Sequence, residues 1–148
     1  MKAQHSFSLI GVLIVFSLVV SACGSSSQPV SADDHLNMAS LEEMPAEVQS
    51  APVTVHEAYQ FAVANPEVVS SIPCFCGCGA MGHTSNYSCY VVGQEGEEVI
   101  FDNHALGCSI CVDITQDAMR LTREGKSPGE IFTYIDATYA QYGPSNMQ

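Results

Sequence analysis

The feature that most limits what this chain can fold into is a run of cysteines at every second position, Cys74, Cys76 and Cys78, followed by Cys89 and by Cys108 and Cys111 as a C-x-x-C pair. Alternate residues bridge one another poorly. A disulfide wants its Cα atoms about 5.5 Å apart with a defined torsion, and so small a ring is strained. Three thiols at that spacing instead wrap a single ion. His104, Cys108 and Cys111 stand at i, i+4 and i+7, so a helix over them presents an imidazole and two thiols on one face. If the C-x-C-x-C loop packs on that face, with His83 and Cys89 near in sequence, soft donors converge. Thiolate and imidazole select Cu(I) or Zn(II), and less readily an iron–sulfur cluster, over hard ions. The candidate metal ligands are therefore Cys74, Cys76, Cys78, Cys89, Cys108, Cys111, His83 and His104. Asp102 or Asp113 is available to orient a ligating histidine. Met81 offers a thioether that suits copper, although a loop methionine more often fills a packing gap, and Met119 belongs to a core-facing stripe.

Two other uses of the cysteines stay open at this level. Six is an even number that fits a disulfide framework in a small extracytoplasmic domain. Cys108-Ser109-Ile110-Cys111 near a helix start also suits thiol redox chemistry, because the helix dipole lowers thiol pKa, although no βαβ pattern precedes it. A c-type haem is disfavoured, since Val112 stands where histidine should follow the C-x-x-C. Serine–histidine catalysis and phosphate-cradling loops have no support, so no catalytic residue is assigned and the chain reads as a binder rather than an enzyme.

The compartment is suggested by the N-terminus. A lone basic residue, Lys2, precedes an apolar run from Phe7 to Val20 and then Val20-Ser21-Ala22-Cys23. The run is about 14 residues, short of the roughly 20 that a spanning helix needs. Small residues before a cysteine form a lipobox, which makes residues 1–22 a signal peptide and Cys23 the lipid-bearing first residue of a mature lipoprotein, tethered on the extracytoplasmic face of a cell membrane. Residues 23–52 are rich in Ser, Pro, Gln, Asp and Glu and are expected to form a flexible tether, with Leu41, Met44 and Val48 at helical spacing able to dock. Residues 53–143 form one domain of about 90 residues, too small for its apolar core to be its only support. Residues 144–148 are a tail.

The formal charge is −12, and loss of Lys2 with the signal makes it one unit more negative. Such a surface repels phosphate backbones, which excludes nucleic acid as a partner, and it draws cations without selecting among them.

Sequence patterns predict a mainly α domain of three helices around a Cys-rich irregular loop, with a short β-hairpin. Thr54-Val55-His56-Glu57 matches a capping box, and the helix it opens ends at Asn65-Pro66. Val68–Ile72 leads into an irregular loop over Pro73–Asn86. Tyr87–Val92 and Glu98–Phe101 flank a Gly93-Gln94-Glu95-Gly96 turn. A second helix is predicted from Asn103 to Glu124, with Cys111, Ile114, Ala118, Met119 and Leu121 buried and Gly125 as its C-terminal cap. A third opens on the capping box Ser127-Pro128-Gly129-Glu130 and buries Ile131, Ile135, Tyr139 and Tyr142.

Pro73-Cys74-Phe75-Cys76-Gly77-Cys78 resembles the motif of the bacterial Pro-Cys-Tyr-Cys-Gly-Cys lipoprotein family, with Phe75 in the place of its tyrosine. The likeness continues through Gly82-His83, Cys89-Tyr90, Asp102, His104, Cys108 and Cys111, then Glu130-Ile131, Ile135-Asp136 and Tyr139, and so covers Ser71 to Tyr142. It implies a lipoprotein and groups these cysteines and histidines together. The family has no settled biochemical function, so the chemistry rests on the residues. They point to a membrane-tethered protein that sequesters or delivers copper or zinc, with a metal transporter or metalloenzyme as partner.

Overall fold

The computed structural model describes residues 36–147, and the lipobox around Cys23 lies outside them. Within that range are five α-helices, α1 Ala46–Gln49, α2 Val53–Ala64, α3 Pro66–Ser70, α4 Ser109–Arg123 and α5 Pro128–Tyr139, and one hairpin, β1 Val91–Glu95 with β2 Glu98–Phe101. The three longer helices make the body, with α4 packed between α2 and α5. No helix among the described residues is long and apolar enough to cross a membrane.

α2 starts one residue before the anticipated cap. Pro52 is its N-cap, with Val55 and His56 N–H bonded to the Pro52 carbonyl, and no side chain caps it. The Thr54 capping box therefore does not form, because proline's fixed φ already sets the entry and Thr54 falls inside the first turn. Ala58, Tyr59, Phe61 and Ala62 face inward. The chain before α2 belongs to the folded unit from Leu36 onward. Met44 and Val48 are buried, and Ala39 N–H and the Gln60 side chain tie this segment to α2.

α4 carries the clearest apolar stripe, with Cys111, Ile114, Thr115, Ala118, Met119 and Leu121 buried. Gly125 sits at φ 74°, with its N–H bonded to the Thr122 carbonyl and that of Lys126 to the Leu121 carbonyl, a Schellman ending. α5 opens on the anticipated capping box, Ser127 accepting from Glu130 N–H and Glu130 accepting from Ser127 N–H. Ile131, Ile135 and Tyr139 are buried, but Tyr142 lies past the helix end and is 59% exposed.

Two expectations for the middle of the chain need correction. The hairpin turns at Gly96-Glu97, since Glu95 pairs with Glu98, and Tyr87–Cys89 is a 3-10 turn rather than strand. Val92 is the extra residue of a bulge between the Val91–Phe101 and Gly93–Ile100 pairs, which is why the alternation in the sequence is poor. The second correction bears on the site. The helix predicted from Asn103 is broken, with a 3-10 turn at His104–Leu106 and then Cys108 extended at φ −117°, ψ 95° before α4 begins. The i, i+4, i+7 spacing imitates a helical face that does not exist. Cys108 is instead the N-cap of α4, its sulfur accepting from Cys111 N–H at 3.4 Å.

Candidate metal centre

Four stretches deliver the candidate ligands to one point between the start of α4, the Cys-rich loop, which also carries His83, and the base of the hairpin. Cys74, Cys76 and Cys78 come from the loop after α3. Gly77, at φ 85°, reverses the chain between the last two, a backbone angle that a side chain would strain. Cys89 ends the 3-10 turn before β1, His104 begins the one after β2, and Cys108 and Cys111 belong to the α4 N-terminus.

The sulfur atoms are in mutual contact. Cys74 Sγ lies 3.4 Å from Cys76 Sγ and 3.3 Å from Cys111 Sγ. Cys111 Sγ is 2.8 Å from Cys108 Sγ and 3.5 Å from Cys89 Sγ, and Cys89 is 3.7 Å from Cys78. The imidazoles join at the edges, His104 Nε2 at 3.4 Å from Cys76 Sγ and His83 Nδ1 at 3.5 Å from Cys89 Sγ. Their rings meet edge to face with centroids 5.1 Å apart. None of the six cysteines among the described residues is bonded to another. Two four-donor groups have all their ligand atoms within 4.8 Å of one another: Cys76, His104, Cys108 and Cys111, and Cys78, His83, Cys89 and His104. Two cysteine triads, Cys74-Cys89-Cys111 and Cys74-Cys76-Cys78, overlap them.

All eight candidate ligands are thus brought together, and Cys23 lies outside the described residues. Asp102 takes the orienting place. Its Oδ2 is 3.5 Å from His83 Nε2, while Oδ1 accepts His104 N–H at 2.7 Å. Asp113 is exposed, and Met81 is 63% exposed, so it fills no packing gap. Phe75 is buried at 2% exposure, which accounts for a ring without a hydroxyl at that position.

Support comes from residues that carry no signal in the sequence. Asn146, in the short tail, is buried and clamps the loop. Its Oδ1 accepts Cys74 N–H at 2.7 Å, its own N–H donates to the Cys74 carbonyl at 3.1 Å, and Nδ2 donates to the Ser85 carbonyl at 3.0 Å and toward Cys78 Sγ at 3.5 Å. The tail approaches so closely that a Cβ on Gly143 would stand 2.7 Å from the Phe75 carbonyl oxygen. Beneath the sulfurs, Tyr90 donates to the Cys111 carbonyl at 2.8 Å, and Thr115 Oγ1 lies 2.6 Å from both Tyr90 Oη and Asn86 Nδ2. Tyr59 Oη donates to the Asp102 carbonyl at 2.7 Å.

Packed thiols cannot all ionise, and their hydrogen bonds decide which do. Cys74 is held far down, to about 2, because Cys111 and Cys89 S–H groups donate to its sulfur. Cys108 is lowered to about 6, chiefly by the Cys111 S–H and with help from Cys111 N–H. Cys111 is pushed up because its one S–H proton is held among the Cys108, Cys74 and Cys89 sulfurs. Cys89 gains from the Cys111 donor, but its own donation to Cys74, burial and the Cys74 charge outweigh this and raise it. Burial and then the Cys74 charge raise Cys76 and Cys78. Among the six, these contacts favour ionisation at Cys74 and Cys108 and oppose it at the other four. Thiolate ligation of a metal releases such protons.

A family model described as a protein of unknown function with PCYCGC motif matches residues 12–146. No curated protein and no solved structure matches the chain.

Proposed function

The chain belongs to the family of proteins with the PCYCGC motif, and from the donors that meet in its core we propose that it binds a soft metal ion, Cu(I) or Zn(II), for sequestration or delivery at the cell envelope. The observation that carries this reading is the convergence of six sulfurs and two imidazoles, with contacts of 2.8–3.7 Å and none made by a covalent bond. The donor types are those that thiophilic ions select, and an Asp102 carboxylate orients His83 as ligating histidines require. A stapled framework fits less well, because none of the six cysteines is bonded and Cys111, though nearest to Cys108 at 2.8 Å, also lies 3.3 Å from Cys74 and 3.5 Å from Cys89.

The apolar run before Cys23 supplies the place. A lipid on Cys23 holds the domain at the outer face of a membrane, where it meets a transporter or an exported metalloenzyme. Cys23→Ser is expected to release the protein into the soluble fraction, and unchanged membrane retention refutes the anchor.

The metal reading is tested on reduced, anaerobically purified protein by counting reactive thiols before and after Cu(I) or Zn(II), with the metal measured on the same sample. Loading is expected to shield the cysteines of the cluster from alkylation. Six thiols that react equally with and without either metal overturn the reading.

A further inference from the structure

Soft metal centres in proteins take about four ligands for zinc, and Cu(I) takes no more. Eight donors in contact are therefore too many for one ion. The arrangement divides without remainder. The group Cys76, His104, Cys108 and Cys111 is complete in itself. His104 also falls within reach of the other group, but its Nε2 is in contact with Cys76, at 3.4 Å. That leaves Cys78, His83 and Cys89, and the missing fourth donor is Cys74, which lies within 4.8 Å of Cys89 in one triad and of Cys78 in the other. Cys74 touches the first group too, through Cys76 and Cys111.

We propose that the centre holds two ions, an outer one on Cys76, Cys108, Cys111 and His104 and an inner one on Cys74, Cys78, Cys89 and His83. This rests on the metal-binding reading above and assigns its stoichiometry. Each ion then has three sulfurs and one imidazole, a set that suits tetrahedral coordination. Each thiol gives its proton to solvent as its sulfur takes the metal.

The two positions differ in exposure and in support. Cys74, Cys78, Cys89 and His83 are all buried, whereas Cys76, Cys108 and His104 are half-exposed. The inner donors are also held from outside the cluster, His83 by Asp102 and Cys78 and Cys74 by Asn146. A cleft of about 700 Å³ between the loop and the tail reaches His83 but is lined by no cysteine. The outer ion therefore exchanges with the surroundings, and the inner ion is retained.

Anaerobic titration of the reduced full-length chain with Co(II), followed by sulfur-to-cobalt charge-transfer absorption, tests the pair. The expected break is at two equivalents. A strong chelator then removes one equivalent fast and the second slowly. Cys108→Ser is expected to lose the fast equivalent and keep the slow one, and His83→Ala to lose the slow one. A wild-type break at one equivalent overturns the pair, as does loss of both ions in Cys108→Ser, and neither result touches metal binding as such. No uptake of Co(II) also overturns it, and thiol protection by Cu(I) or Zn(II) then decides separately whether the underlying reading survives.

Discussion

Replacing Asn146 by alanine removes three side-chain hydrogen bonds and leaves the backbone one in place. The Cys74 amide loses its acceptor at 2.7 Å and the Ser85 carbonyl its donor at 3.0 Å. Both residues are buried, Cys74 completely and Ser85 at 6% exposure. A buried polar group left without a partner costs about 1–3 kcal/mol. Two of them give about 2–4 kcal/mol, with water reaching the Ser85 carbonyl more easily than the Cys74 amide. For a domain of this size, 1 kcal/mol moves the melting temperature by about 4 °C, so Asn146→Ala should melt about 8–16 °C lower. The measurement is thermal and urea unfolding by circular dichroism, in reductant and chelator so that metal plays no part. Asn146→Asp keeps the acceptor for Cys74 N–H but sets a carboxylate beside Cys78, whose sulfur must carry negative charge to bind metal. It should therefore weaken metal binding more than it weakens the fold. Ser145→Ala, at an exposed neighbour, is the control. If Asn146→Ala unfolds within about 0.5 kcal/mol of wild type, as an ordinary surface substitution does, the tail is not a clamp and the argument fails.

Gly143→Ala forces a Cβ to within 2.7 Å of the Phe75 carbonyl oxygen and should destabilise the metal-free protein by about 1–3 kcal/mol, read by the same melts. Metal uptake near pH 7 is expected to release about four protons for the full set of cysteines, because Cys74 and Cys108 are already thiolates and the other four are not. Below pH 6 Cys108 is protonated in the metal-free protein, so the cysteines should release about one proton more, an increase measured with a pH indicator in weak buffer. In the absence of metal, the lowered Cys108 pKa contributes stability that is present above its ordinary value near 9 and is lost as pH falls through 6, so the metal-free midpoint should decline over that window. Loading with Zn(II) should raise the melting temperature and protect Pro73–Ser88 from proteolysis, since binding free energy enters as folding free energy, and equal cleavage with and without metal would count against that coupling.

Much of the candidate site is legible in the amino-acid sequence. The C-x-C-x-C run, the C-x-x-C pair and two histidines near them name all eight donors, because soft ligands are rare residues whose clustering has few other causes. The capping box at Ser127 and the cap at Gly125 are local in sequence, and both form. The break before α4 is hidden for a specific reason: His104, Cys108 and Cys111 have helical spacing, and a cysteine N-cap lacks the oxygen by which such caps are usually recognised. Asn146 is invisible for another. It bonds to Cys74, 72 positions away, and no periodicity marks a single amide in a polar tail. Residues 36–52 have the composition of a tether, yet two buried apolar side chains, one backbone bond and the side-chain amides of Gln60 and Asn37 hold them on α2.

The hairpin has a practical use. It leaves the cluster at Tyr90 and returns at Asp102, the Asp102 N–H closing the gap to the Tyr90 carbonyl at 2.8 Å. Everything from Gln94 to Glu98 is exposed, and the turn at Gly96-Glu97 touches no ligand. The base is thus pinned while the tip stands about 15 Å off, the length of a five-residue strand. A permuted fluorescent protein inserted between Gly96 and Glu97 would ride on a strut whose root lies between Cys89 and His104, one donor of each proposed site. Such a chimera would turn occupancy of the cluster into light, a sensor for thiophilic metals in envelopes where small-molecule dyes do not reach.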